Sequence, residues 1–189
     1  MEALITSIVL VAVAEIGDKT QLLSFVLAAR LRKPWPIIGG ILVATIVNHA
    51  LAGWIGTLLA GWIAPSTLLW IVGLSFIAFG FWALHPDSLD ASPRMHPAGA
   101  FVTSFIAFFL AEMGDKTQFA TIALAARYHS LGIVLLGSTI GMMLANVPAV
   151  WIGEKLALKL PLKTIRLIAA ALFMLVGALT IYAALTGAQ

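Results

Sequence analysis

The chain has 189 residues, of which 61% are hydrophobic and 10% charged, and its formal net charge is +3. Soluble domains carry about 25% charged residues, so a soluble enzyme, a disordered chain and a nucleic-acid binder are all excluded. The absence of cysteine removes disulfide frameworks, thiolate metal sites and dithiol redox couples. What remains is an all-α polytopic membrane protein, with the lipid bilayer as its first partner.

A helix needs about 20 mainly apolar residues to cross hydrocarbon. Six such runs are read in chain order: residues 3–29, 36–63, 67–84, 99–126, 131–152 and 162–185. The first has no Lys or Arg ahead of its apolar stretch, so it reads as a retained span and not as a signal peptide. It ends at Arg30, Arg32, Lys33 and Pro34, and the second ends at Pro65 and Ser66. Residues 85–98, with Asp87, Asp90, Arg94 and three prolines, form a connecting loop. Residues 154–161 separate the last two runs. Trp35, Trp62, Trp70 and Trp82 fall near span ends, as interfacial anchors do. With the N-terminus outside, the cytoplasmic loops and their flanks hold Arg30, Arg32, Lys33, Arg94, Lys155, Lys159, Lys163 and Arg166. The outside segments hold Arg127 alone, so loop charge predicts both termini outside.

The sequence repeats itself. Residues 14–21 (AEIGDKTQ) match residues 111–118 (AEMGDKTQ) at an offset of 97. At the same offset Ala28, Ala29 and Arg30 match Ala125, Ala126 and Arg127, Gly40 matches Gly137, and Trp54 to Gly56 matches Trp151 to Gly153. Asn48 and Asn146 match one residue out of register. Two three-helix units are expected, 1–90 and 98–189, joined by the cytoplasmic loop 85–98. Three is odd, so the units must cross in opposite senses. Inverted repeats of this kind build secondary transporters, with the substrate site near the midplane where they meet.

The repeated block is charged. Glu15 and Glu112 each lie about 12 residues into a run, roughly 18–20 Å deep. A charge at the centre of a spanning helix costs at least about 2.5–3.5 kcal/mol, so six cost roughly 15–20 kcal/mol unless they face one another, a cavity or an ion. On an unbroken helix Glu15, Asp18 and Gln21 stand about 60° apart in sequence, along one edge. Glu112, Asp115 and Gln118 repeat that edge. Together they offer six oxygen-bearing side chains, the donor set of hard cations such as Ca²⁺, Mn²⁺ and Mg²⁺. Thr20, Thr117, Asn48 and Asn146 are reserve donors, and Gly17 and Gly114 loosen the helix as in discontinuous transporter helices. Lys19 and Lys116 each follow a Glu by four residues, which suits an ion pair within each motif. A purely structural reading stops there. A transport reading adds the charges: four carboxylates and two lysines leave −2, which one divalent cation or two protons neutralise. Crowded carboxylates also titrate as a coupled set. His49, mid-span beside Asn48, reads as a hydrogen-bonded packing group, and His85, His96 and His129 lie at span ends. The small-residue pattern from Gly137 to Gly141 reads as a close helix crossing.

At these residues the chain resembles the Gdt/MneA-type cation:proton exchangers, over nearly its whole length and through both copies of Glu-x-Gly-Asp-Lys-Thr-Gln. The resemblance implies exchange of Mn²⁺, with Ca²⁺ the other cargo, against protons, and no cofactor. It carries the family's motif acids onto Glu15, Asp18, Glu112 and Asp115, with Lys19, Thr20, Gln21, Lys116, Thr117 and Gln118 completing the blocks. The short third loop and the lack of an N-terminal extension resemble the bacterial form, which implies a bacterial inner membrane. Competing readings are a passive divalent-cation channel and an exporter of cationic amino acids. An intramembrane aspartyl protease fits poorly, because Glu replaces the first Gly of Gly-x-Gly-Asp and a lysine follows each Asp.

Overall fold

The computed structural model describes residues 1–85, 96–152 and 162–187, and all the regular structure within them is helical. The helices are α1 (Glu2–Glu15), α2 (Lys19–Leu31), α3 (Pro34–Trp62), α4 (Pro65–Ala83), α5 (Ala100–Glu112), α6 (Lys116–Tyr128), α7 (Leu131–Ile152) and α8 (Leu162–Thr186). Proline at the first turn of α3 and α4 starts each helix where its missing N–H costs nothing. The loop residues Asp87, Asp90, Arg94, Lys155 and Lys159 lie outside the described residues.

Four helices are long and apolar enough to cross a membrane: α3, α4, and the stretches Leu131–Trp151 and Lys163–Thr186 of α7 and α8. The other two apolar runs depart from the expectation of one helix each. Both are cut in the middle, giving α1 with α2 and α5 with α6, each piece 13 or 14 residues long. That is about 20 Å of helix per piece.

The polarity of the molecule is inverted relative to a soluble protein. Leu110, Leu136, Leu144, Leu175 and Leu179 are exposed, whereas Glu15, Asp18, Glu112, Asp115 and Lys116 are buried. Trp35, Trp62, Trp70 and Trp82 are all exposed. An apolar surface around a polar interior is what a hydrocarbon solvent selects, so this is an integral membrane protein.

The helices of the two halves interlock. α1 packs on α7 as α5 packs on α3; α4 packs on α8, and α3 also meets α6 and α7. Small residues permit the close crossings. A Cβ on Gly40 would lie 2.6 Å from the Phe101 carbonyl and 2.9 Å from the Ser104 Cβ. A Cβ on Gly137 would lie 2.9 Å from the Leu4 carbonyl and 2.8 Å from the Ser7 Cβ. Gly137, Phe101 and Ser104 stand 97 positions after Gly40, Leu4 and Ser7. The same contact is thus made twice, with the halves exchanged. Gly141 completes the second crossing, against the backbone of Ile8 and Ala12.

Candidate metal centre

Both helix breaks have one geometry. Ile16 (φ −66°, ψ 118°) and Gly17 (φ 82°) form a turn in which the Asp18 N–H donates to the Glu15 carbonyl at 3.1 Å. Met113 (φ −61°, ψ 120°), Gly114 (φ 74°) and the bond from the Asp115 N–H to the Glu112 carbonyl, again 3.1 Å, repeat it. These are the dihedrals of a type II turn, whose third residue needs positive φ and hence glycine. Asp18 and Asp115 then cap the N-termini of α2 and α6 in extended backbone conformation. Three residues on, Gln21 and Gln118 reach back, and their Oε1 atoms accept the Gly17 and Gly114 N–H groups at 2.8 Å. This is a variant of the capping box, directed at the residue before the cap.

The motif is therefore a turn and a helix start, which corrects the expected continuous edge. Glu15 closes one helix and Asp18 opens the next. The two amide oxygens, expected beside the carboxylates, are engaged by the turns. The Gln21 amide N–H donates to the Ala145 carbonyl at 3.1 Å, and that of Gln118 to Asn48 Oδ1 at 3.4 Å.

The breaks bring the acids of both motifs together. Glu15, Glu112 and Asp115 each place one carboxylate oxygen so that all three lie within 4.8 Å of one another. Donors about 2.1–2.5 Å from one divalent ion stand at most about 4–5 Å apart, so the trio fits a shared ion. Glu15 and Glu112 are fully buried, and the Oε2 atom of each has no hydrogen-bond partner among the described residues. A buried carboxylate oxygen left in that state is costly unless a cation or proton satisfies it.

Among the described residues, the lysines reach across to the other motif. Lys116 Nζ bonds Asp18, and Lys19 Nζ lies 3.0 Å from Asp115 Oδ1. Each lysine crosses to the aspartate of the other half, and the predicted i,i+4 pairing with Glu15 and Glu112 is replaced. The reason is the break itself, which removes the helical turn that would have set Lys over Glu. The crossed pairs differ in exposure: Lys116 is 4% exposed and Lys19 26%.

The reserve donors take varied places. Thr117 Oγ1 donates to Glu112 Oε1 and stands 3.3 Å from Asp115 Oδ2. Thr20 is buried with its hydroxyl unbonded among the described residues. The Asn146 amide N–H donates to Glu15 Oε1 at 3.4 Å and to the Met142 carbonyl at 3.0 Å, while its Oδ1 accepts the Ser24 hydroxyl at 2.7 Å. Asn48 donates to the Phe109 carbonyl at 3.1 Å, bracing the last turn of α5. His49, read from the sequence as a packing group, does bond Ser138 through Nδ1 at 2.9 Å. Its other nitrogen, Nε2, faces Glu112 Oε1 at 3.6 Å. The sequence signal that could have found it is the repeat offset: His49 stands 97 residues before Asn146. A narrow crevice lined by Gly17, Asp18, Ala83, Lys116, Arg166 and Ala169 reaches the edge of this cluster.

Acids drawn from two halves around one point, counter-charged and enclosed by apolar helices, define an ion-handling membrane protein. The sequence profile described as "Divalent cation/proton antiporter GDT1" matches residues 3–91 and again 100–188. The chain belongs to this family of divalent cation/proton antiporters. It is similar to a Vibrio cholerae protein named "Putative manganese exporter", 51% identical over 183 residues, covering 96% of this chain and 92% of that one. "GDT1-like protein sll0615" of Synechocystis is 31% identical over 200 residues, covering 93% and 94% of the two chains. "GDT1-like protein 3" of Arabidopsis thaliana is 26% identical over 201 residues, covering 92% and 68%. No solved structure matches the chain significantly.

Proposed function

We propose that this antiporter exports Mn²⁺ from the bacterial cytoplasm across the inner membrane in exchange for protons, with Ca²⁺ as a second cargo, and that it is not an enzyme. The observation that carries the reading is the trio of Glu15, Glu112 and Asp115 within 4.8 Å, two of them with a buried unbonded oxygen. The name of the Vibrio cholerae relative supports Mn²⁺ as the cargo. The fold consists of six spans in two inverted repeats, 1–90 and 98–189, with both termini outside and the 85–98 loop in the cytoplasm. The doubled family match and the exchanged glycine crossings support that arrangement.

The crossed ion pairs suggest how such a site alternates. In the state described, Asp115 joins the two glutamates while Asp18 is held by the deeply buried Lys116. Exchanging the halves yields the opposite state: Asp18 joins the glutamates, Lys19 becomes the buried lysine and Asp115 retires onto it. The ion binds from the cytoplasm to the ionised trio and leaves outside as protons take its place, so the emptied site carries no uncompensated charge during the return. Gln21, Gln118, Thr117, Asn48 and Asn146 hold the turns and carboxylates in place, Thr20 stands by as a reserve oxygen donor, and no cofactor takes part.

The test is transport in inside-out vesicles with an acidic lumen, which mimics the cell exterior. Uphill accumulation of Mn²⁺, abolished by Asp115→Asn or Glu112→Gln with insertion intact, is the expected result. Downhill flux indifferent to the pH gradient would mean a channel. Movement of lysine or arginine without metal would mean an amino-acid exporter. Wild-type exchange in Asp115→Asn would remove that aspartate from the site.

A further inference from the structure

The two halves are not equivalent at one position beside the trio. His49 and Asn146 are 97 residues apart and therefore occupy matching places in the repeats. Each faces the glutamate of the other half. Asn146 presents its amide N–H to Glu15 Oε1 at 3.4 Å, an ordinary if long hydrogen bond. His49 presents Nε2 to Glu112 Oε1 at 3.6 Å, beyond hydrogen-bond range. His49 is completely buried, and Nε2 has no hydrogen-bond partner among the described residues.

The ring's other nitrogen is held in place. Nδ1 lies 2.9 Å from Ser138 Oγ, and that hydroxyl donates to the Leu135 carbonyl at 3.3 Å. With its proton directed at Leu135, Ser138 accepts from Nδ1–H, and in that tautomer of the neutral ring Nε2 is free to bind a cation. Facing a carboxylate oxygen across 3.6 Å, Nε2 is satisfied when a proton or a metal cation lies between the two. Two donors each about 2.1 Å from one ion can stand up to about 4.2 Å apart, so His49 Nε2 and Glu112 Oε1 can share one. A histidine whose second nitrogen is anchored by a hydrogen bond is the usual form of a metal-bound imidazole.

From this juxtaposition we infer that His49 is a nitrogen ligand to the transported ion beside Glu112, and that it makes the site prefer Mn²⁺ to Ca²⁺. The inference rests on the reading of the trio as a divalent-cation site. Calcium takes oxygen ligands only, whereas Mn²⁺ combines a preference for oxygen with the first-row transition ions' capacity to bind nitrogen, so one imidazole among carboxylates disfavours calcium more than manganese. Asn146 cannot play this part, because its amide nitrogen has no lone pair to give. One nitrogen in one half is enough to bias the choice between two ions that carboxylates alone barely distinguish.

The experiment has two arms. Pulsed electron paramagnetic resonance of Mn²⁺ bound to the purified full-length protein should show coupling to a histidine nitrogen, and ¹⁵N-histidine labelling should alter that coupling. The coupling should vanish in His49→Asn, which copies the other half. In vesicles, His49→Asn should lower the Mn²⁺ over Ca²⁺ preference by about tenfold or more, the scale on which ligand-shell changes act. Absence of nitrogen coupling in the wild type overturns the inference, and that arm needs no variant to fold. Equal loss of Mn²⁺ and Ca²⁺ transport in His49→Asn, showing a merely structural role, also overturns it. If wild-type vesicles move neither ion, the transport reading fails, and the nitrogen coupling still decides whether His49 ligates.

Discussion

Replacing Lys116 by Met strips a counter-charge from a carboxylate that has no access to solvent. The side chain of Asp18 is fully buried and that of Lys116 is 4% exposed. Breaking a buried pair by removing one partner costs about 3–5 kcal/mol, because the remaining charge is left in low dielectric. Asp18→Asn neutralises that remaining charge, so the double variant should recover much of the loss. A cycle of wild type, Asp18→Asn, Lys116→Met and the double variant should return a coupling energy of about 2–3 kcal/mol, the upper end for groups in contact. The assay is reversible unfolding of the four purified proteins in mixed micelles. A parallel cycle of Lys116→Met with Glu112→Gln separates the crossed pairing from the local one. The crossed arrangement predicts the larger coupling with Asp18. Larger coupling with Glu112 would falsify the exchange of lysines between halves. The Lys19–Asp115 pair, with Lys19 26% exposed, should couple more weakly, at about 1 kcal/mol or less after solvent screening.

Gly114→Ala isolates the turn. A Cβ there meets nothing within 4 Å, so the whole cost is the positive φ, about 1–2 kcal/mol of stability in the same micelle assay; a neutral result would remove the strain argument. Gln21→Met removes the acceptor of the Gly17 N–H and the donor to the Ala145 carbonyl, at a cost of about 2 kcal/mol, and unchanged stability would mean the bracing is dispensable. Gly56→Ala and Gly61→Ala form a contrast within α3. A Cβ on Gly56 would lie 2.2 Å from the Ile122 carbonyl on α6, whereas Gly61 has open space. The first should destabilise by about 1–3 kcal/mol and the second should be neutral or slightly stabilising. Similar melting of both variants would remove close α3–α6 packing as the cause.

How much of this protein is legible in its sequence depends on the range over which each feature is encoded. Membrane class follows from composition, because a chain with 10% charged residues has too little to hydrate. The duplication follows from identity at one offset, and the choice of Glu15, Asp18, Glu112 and Asp115 as candidate site residues follows from the cost of charge in hydrocarbon. The turn was also written locally: Gly before Asp-x-x-Gln is a type II turn running into a capping box, and Gly17 and Gly114 already pointed to a loosened helix. Treating the run as one helix hid the rest. It put Gln21 and Gln118 among the free oxygen donors, although their oxygens hold the turns, and it set each lysine over its own glutamate. Which lysine meets which aspartate, and that His49 turns Nε2 toward Glu112, were decided by the packing of α1 on α7 and α5 on α3. A buried charge takes the nearest opposite charge in space, and once a helix is broken, nearness along the chain no longer determines nearness across the interior.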